Sequence, residues 1–413
     1  MEPATIWLAL SWVTNEDRRV HRTARNRSFP SVAALGVAAV GIVLAADLWP
    51  ATSRAAPAPP AGTRAQPRLS CSTAGKLATW RLSRLAAQTL ATAAAEDDVS
   101  AVSHEVSIGI GGIILFGSAA PTDLARQLAA LEARALGGVK PLVMTDEEGG
   151  PVQRMANLVG SIPAARTMGA TMTPAQIEAL ATRVGRRMLA AGVTMDLAPV
   201  LDVDGGAGPN ARDPDGTRSF SARVAVAAND GLAFAAGLER AGVIAVVKHF
   251  PGLGGVSENT DIGPATTIAW SRLERTGLVP FVDAISAGTP AVMVANASVP
   301  GLTSQPAILS AVVETSLLRG RLHFKGLIVT DALNAEAIVA TGLTLPQAAV
   351  AARRAGADLL LYQASGEGDD AVTDQIVHAI VEAVASGKLS RSQLFAAASY
   401  VLAAKKVDLC PRG

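Results

Sequence analysis

Lys248 and His249 follow the apolar run Ala245-Val246-Val247 and precede Phe250-Pro251-Gly252-Leu253-Gly254-Gly255. Proline and glycine stop a strand and let the backbone turn sharply, which leaves the cation and the imidazole at a rim where a ligand can reach them. The pattern recurs along the chain. Leu142 to Thr145 leads into Asp146-Glu147-Glu148-Gly149-Gly150, with Gln153 and Arg154 just after. Val193 to Val203 carries Asp202 near its end and is followed by Asp204 and Arg218-Ser219-Phe220, while Ala291 to Ala295 leads into Asn296 and Leu327 to Thr330 into Asp331. A lone aspartate after a strand is most often a helix cap. Carboxylates and cations repeated at so many strand ends describe one polar site with groups for nucleophilic and acid/base chemistry.

Such side chains converge only if the strands run parallel, because only then do their carboxyl ends share a face. The apolar runs at Gly112 to Phe116, Leu142 to Thr145, Val193 to Val203, Val243 to Val247, Ala291 to Ala295, Leu327 to Thr330 and Asp358 to Tyr362 are largely continuous, as expected of strands buried on both faces. Helical stretches separate them. Thr173-Pro174 supplies an N-cap and a first-turn proline ahead of Ile177, Leu180, Ala181, Val184 and Met188, and Ser390 with Gln393 forms a capping box ahead of Leu394, Ala398, Val401 and Leu402. An eighth strand is expected within Leu85 to Ala93, a segment weak in β-formers. Eight strands with interposed helices predict an α/β fold of the (β/α)8 TIM type, which keeps its active site at the carboxyl ends of the strands.

At 413 residues, 49% hydrophobic and 17% charged, the chain has a well-filled core and is not a disordered protein. Its net charge of +1 and its 4% aromatic content argue against nucleic acid as a partner. The basic stretch Arg18 to Arg27, followed by the uncharged apolar run Val32 to Ala46, reads as a signal peptide or signal anchor over residues 1–50. The run is short for a membrane span, so export is favoured, with anchoring through that segment as the second reading. Residues 51–70 form an alanine/proline-rich linker, and 71–413 the folded domain. The protein is thus expected to be secreted or associated with the cell envelope. Cys71 and Cys410 bracket that domain and predict a disulfide in an oxidising compartment. No metal cluster or cofactor motif is visible, and none is expected.

Asp146-Glu147-Glu148-Gly149-Gly150, Leu197-Ala198-Pro199-Val200-Leu201-Asp202-Val203, Arg218-Ser219-Phe220, Lys248-His249-Phe250-Pro251-Gly252 and Val329-Thr330-Asp331-Ala332 resemble, in this order, glycoside hydrolase family 3, specifically its single-domain bacterial β-N-acetylhexosaminidases. The resemblance implies a barrel that removes terminal N-acetylglucosamine from wall fragments or chito-oligosaccharides with retention. It also implies that Asp146, Arg154, Arg218, Lys248 and His249 grip the sugar hydroxyls and that Asp331 is the nucleophile.

The chain departs from the family pattern where the acid/base belongs. The motif normally continues from Gly252 with a histidine and ends in Asp-Ser-His, whose aspartate and last histidine form the acid/base dyad. Here Leu253, Asn259 and Asp261 occupy those three positions, Pro151 stands where an arginine is usual, and Asn296 where histidine is common. Two mechanisms follow. Either Asp261, or Glu258 three residues before it, serves as a carboxylic acid/base, or leaving-group protonation is impaired and the protein is a slow hydrolase or a glycan-binding protein. A β-glucosidase-type hydrolase is the further alternative.

Overall fold

The computed structural model describes residues 71–363 and 369–410. Eight parallel strands alternate with helices: β1 (Leu90–Ala95), β2 (Gly112–Phe116), β3 (Leu142–Thr145), β4 (Met195–Asp196), β5 (Ile244–Phe250), β6 (Ala291–Val294), β7 (Leu327–Thr330) and β8 (Leu360–Tyr362). Sequential strands are neighbours throughout. Leu90 lies opposite Leu360 where β8 meets β1, and a parallel bridge between Val329 and Leu359 closes the seam between β7 and β8. The fold is the expected (β/α)8 barrel.

β6 and β8 are one and two residues shorter than the sequence expectation, and three other strands differ from it in ways that bear on the site or the closure. β1 begins at Leu90 because Leu82–Ala87 is helical, and its run Leu-Ala-Thr-Ala-Ala-Ala is held in the sheet by pairing on both sides in spite of weak propensity. β4 is short because the chain leaves the ladder toward Pro199, which has no N–H to give; Leu197 still donates to the Thr145 carbonyl (2.8 Å) and Val200 bridges Lys248. β5 runs on to Phe250, so Lys248 and His249 belong to the strand itself.

Side chains alternate across the barrel wall. Ile114, Met144, Val246, Met293, Val329 and Leu361 fill the interior, together with Tyr400 and Val401, whereas Ile113, Val143, Val247, Val292, Ile328 and Leu360 face the helices. Helices α1 (Cys71–Ala78), α2 (Pro174–Ala190), α3 (Val224–Ala241), α4 (Leu345–Ala355), α5 (Asp369–Ala385) and α6 (Arg391–Ala404) contribute to the outer layer. The N-cap at Thr173 and the capping box at Ser390/Gln393 are present, and further boxes form at Thr173/Gln176 and Thr344/Gln347.

The expected bridge between Cys71 and Cys410 rests on a Cys71 side chain that lies outside the described residues; Cys410 among them is half-buried with a free thiol. Hydrogen bonds join the two ends. Thr73 Oγ1 donates to Asp408 Oδ1 (2.5 Å) and accepts from Leu409 N (3.1 Å). The leader over 1–50 and the linker over 51–70 fall outside the described residues; within them, no helix is long and apolar enough to cross a membrane.

Candidate active site

A pocket of about 130 Å3 opens at the carboxyl ends of the strands. Its floor is apolar, with Ile114, Leu197, Met293 and Leu361, and its rim carries Asp146, Arg154, Arg218, Lys248, His249, Asp261 and Asp331. Seven of the predicted site residues therefore meet in one place. Glu258 does not line the pocket; it is half-buried on the loop after β5. That loop is drawn against the segment that follows β4 by glycine: a Cβ on Gly254 would sit 2.1 Å from the Val203 carbonyl oxygen, and Gly252 has φ +126°.

At the centre stands a buried network of alternating charge. Lys248 Nζ lies 2.6 Å from both Asp146 Oδ1 and Glu148 Oε1, and Arg218 takes the same glutamate with Nε (2.7 Å to Oε2) and Nη2 (2.8 Å to Oε1) while Nη1 donates to the Pro214 carbonyl (3.0 Å). Burial acts to raise the Glu148 carboxyl, but the Arg218 and Lys248 charges outweigh it and hold the group well below the ordinary carboxylate range. Burial likewise acts against the charges on Lys248 and Arg218, and the neighbouring carboxylates prevail and raise both. The two cations are permanent and fixed in place. Glu147 is structural by contrast: Oε1 accepts from Arg154 N (2.7 Å) and Met155 N (2.8 Å), and Oε2 from Gln153 Nε2 (2.9 Å), which folds the loop that presents Arg154.

His249 is held by Asp202, whose Oδ2 lies 2.7 Å from Nδ1 and accepts the backbone N–H of the same residue at 3.0 Å. Burial, with the Arg218 and Lys248 charges, lowers the imidazole to about 4. It is neutral at physiological pH. With Nδ1–H directed to Asp202, Nε2 carries the lone pair and can accept from a sugar hydroxyl. Asp202 Oδ1 also accepts from Leu253 N (2.6 Å), so this aspartate anchors the loop as well as the ring.

Asp331 follows β7. Its N–H donates to the Val294 carbonyl (3.1 Å) and its Oδ1 accepts from Ala332 N (2.7 Å), while Asn296 Nδ2, from the end of β6, donates to the Ala332 carbonyl (2.9 Å). The backbone that carries the carboxyl is thus braced by the neighbouring strand β6 and the residues just after it. Asp261 lies on the opposite loop: it keeps an exposed surface at the mouth, yet the packing around its carboxyl, with the Asp331 charge next in weight, raises it to about 7.

Sequence reasoning missed Asp215, 1% exposed, whose carboxylate oxygens have no hydrogen-bond partner and whose Oδ1 is 4.0 Å from Arg218 Nη1. Burial, and then the nearby Asp202 carboxylate, push it well above its ordinary value. Ligand atoms of Asp202, Asp215 and His249 lie within 4.8 Å of one another, though Asp202 already accepts from His249 and Leu253. Nothing in Asp213-Pro214-Asp215-Gly216 distinguishes this aspartate from a turn residue.

A parallel barrel with a small polar pocket lined by two carboxyls, Asp261 and Asp331, and by fixed cations is built for acid/base and nucleophilic work on a hydroxylated substrate. Comparison with known proteins agrees: the "Glycosyl hydrolase family 3 N terminal domain" matches residues 83–404. Beta-hexosaminidase LpqI of Mycobacterium tuberculosis is 38% identical over 282 residues, 66% of this chain and 70% of that protein. A family 3 glycosyl hydrolase from Mycobacterium smegmatis superposes with a TM-score of 0.71 at 34% identity, covering 79% of this chain and 98% of the other. Beta-N-acetylhexosaminidase from Beutenbergia cavernae gives 0.70 at 32%, with 80% and 100% covered. The chain belongs to glycosyl hydrolase family 3 and is a glycosidase.

Proposed function

We propose that this glycosidase removes terminal β-linked N-acetylhexosamine from oligosaccharides with retention, using Asp331 as nucleophile and Asp261 as acid/base. The observation that carries the reading is the pairing of these carboxyls at one pocket: Asp331 is braced by backbone and Asn296, and Asp261 is raised to about 7 by its surroundings and by Asp331. In the first step Asp331 forms a bond to the anomeric carbon as the glycosidic C–O bond breaks, and Asp261 gives its proton to the departing oxygen. In the second, Asp261 takes a proton from water, the water oxygen bonds to that carbon, and the bond to Asp331 breaks. A general acid works best with a value near the working pH. Lys248, Arg154, Arg218, Asp146 and His249 hold the hydroxyls, and the sugar class is supported by relatives named as hexosaminidases.

Export belongs to the same proposal and is supported by the arginine stretch and apolar run ahead of residue 50. Cell fractionation tests it; a purely internal pool would remove it.

The deciding experiment is release of an aryl group from an N-acetylglucosaminide by purified protein, set against the aryl glucoside. Turnover of the first, abolished by Asp331→Asn, is the expected result. Faster turnover of the glucoside would make the protein a β-glucosidase instead, and sugar binding without any turnover would make it a glycan-binding protein. Glu258→Gln should keep most of the activity, since that side chain lies outside the pocket.

A further inference from the structure

Resting on this reading, we infer that Asn259 is a specificity-determining residue whose Nδ2 donates to the carbonyl oxygen of the substrate's acetamido group. Asn259 is 2% exposed and lines the pocket beside Asp261. Its backbone is tied down: its N–H donates to the Ala211 carbonyl (2.8 Å), and its carbonyl accepts from Ile262 N (3.0 Å) and Gly263 N (3.2 Å). Its amide oxygen is used as well, accepting the Asp261 N–H at 2.9 Å. That bond fixes which way the amide points, and Nδ2, buried, has no acceptor. A buried donor without a partner is costly, and a ligand oxygen that satisfies it is correspondingly favoured.

The chemistry of the pocket narrows which oxygen that is. Sugar hydroxyls donate as well as accept, and the wall is rich in acceptors for them in Asp146, Asp331, Asp261 and His249 Nε2. An acetamido carbonyl can only accept. The charged donors nearest the centre are partly engaged, Lys248 by Asp146 and Glu148, and Arg218 by Glu148 and the Pro214 carbonyl, and in the proposed reading their remaining N–H groups go to the ring hydroxyls. Arg154 lies over the Phe116 ring, 5.4 Å from its centroid. Asn259 Nδ2 is a neutral donor, already desolvated, on the wall that carries the acid/base. Sites that hydrogen-bond a substrate group discriminate strongly against analogues in which that group is absent or weakened.

The test compares aryl N-acetylglucosaminide with its N-trifluoroacetyl analogue, whose carbonyl is a poorer acceptor, in wild type, Asn259→Asp and Asn259→Ala. Asn259→Asp retains an oxygen for the Asp261 N–H and exchanges the donor for an ionisable oxygen, while Asn259→Ala removes the donor without adding charge. Wild type is expected to lose about tenfold in kcat/KM on fluorination, mainly through KM, and both variants to lose about ten- to hundredfold on the acetyl substrate while becoming indifferent to fluorine. Equal fluorine sensitivity in wild type and Asn259→Asp overturns the inference, and so does a wild type that ignores fluorine, even if neither variant folds. No turnover of the acetyl substrate by wild type sinks the proposed function instead, so the two failures are told apart.

Discussion

In the proposed mechanism Asp261 replaces a histidine chemistry with a carboxylic one, and the consequence is a particular pH dependence. Packing and the Asp331 charge raise the group to about 7, so the proton it must deliver is lost as pH rises through that value. The alkaline limb of the kcat/KM profile is therefore expected near pH 7 and should vanish in Asp261→Ala. That variant should lose about 10² to 10⁴ in rate on substrates with poor leaving groups and far less on activated aryl glycosides, which need little protonation. A wild-type profile flat to pH 9, or equal losses on both substrate kinds, would take the acid role away from Asp261.

The ends of β3, β5, β6 and β7 set the precision of the site. Asn296 at the end of β6 holds the Ala332 carbonyl beside the nucleophile at 2.9 Å. Asn296→Ala is expected to lower kcat about tenfold with little change in KM and to destabilise the fold by about 1 kcal/mol, read from steady-state kinetics and urea unfolding. A changed KM with kcat intact would mean that Asn296 contacts substrate instead. Glu148 ties β3 to β5 and to the Arg218 loop, so Glu148→Gln leaves Arg218 and part of the Lys248 charge uncompensated in the interior. About 3 kcal/mol of stability should be lost. Because the Glu148 value is depressed in the folded state, its contribution is present above the ordinary unfolded value of 4.5 and is lost as pH falls below it. Wild type should thus become acid-labile while Glu148→Gln, weaker at pH 7, loses little more below pH 4.

At the scale of the whole barrel, closure depends on a side chain far from the site. Arg353, on α4 and fully buried, donates to the Ala357 carbonyl and, through Nη2 at 3.1 Å, to the Thr89 carbonyl just ahead of β1. It stitches the last strand's approach to the first strand. Arg353→Met should cost about 2 kcal/mol in chemical unfolding, since the buried Ala357 carbonyl loses its Arg353 donor and the Thr89 carbonyl keeps only Leu360 N, and should leave KM unchanged. A variant as stable as wild type would show that strand pairing alone closes the ring. Much of this architecture could be read in advance. Continuous apolar runs capped by charge predicted parallel strands and placed Asp146, Lys248, Asp331 and their companions at one mouth, because burial on both faces and polar strand ends are written locally. β1 was harder to place, since its alanines have little preference of their own and are strands only by virtue of Leu360 and Ile113 on either side. The sequence by itself determined the barrel, the family and the break in its acid/base motif. Only the tertiary structure decided that Asp261 reaches the pocket and Glu258 does not, that His249 is neutral, and that the Asp215 carboxyl and Asn259 Nδ2 are buried without hydrogen-bond partners, because each depends on neighbours brought from distant strands.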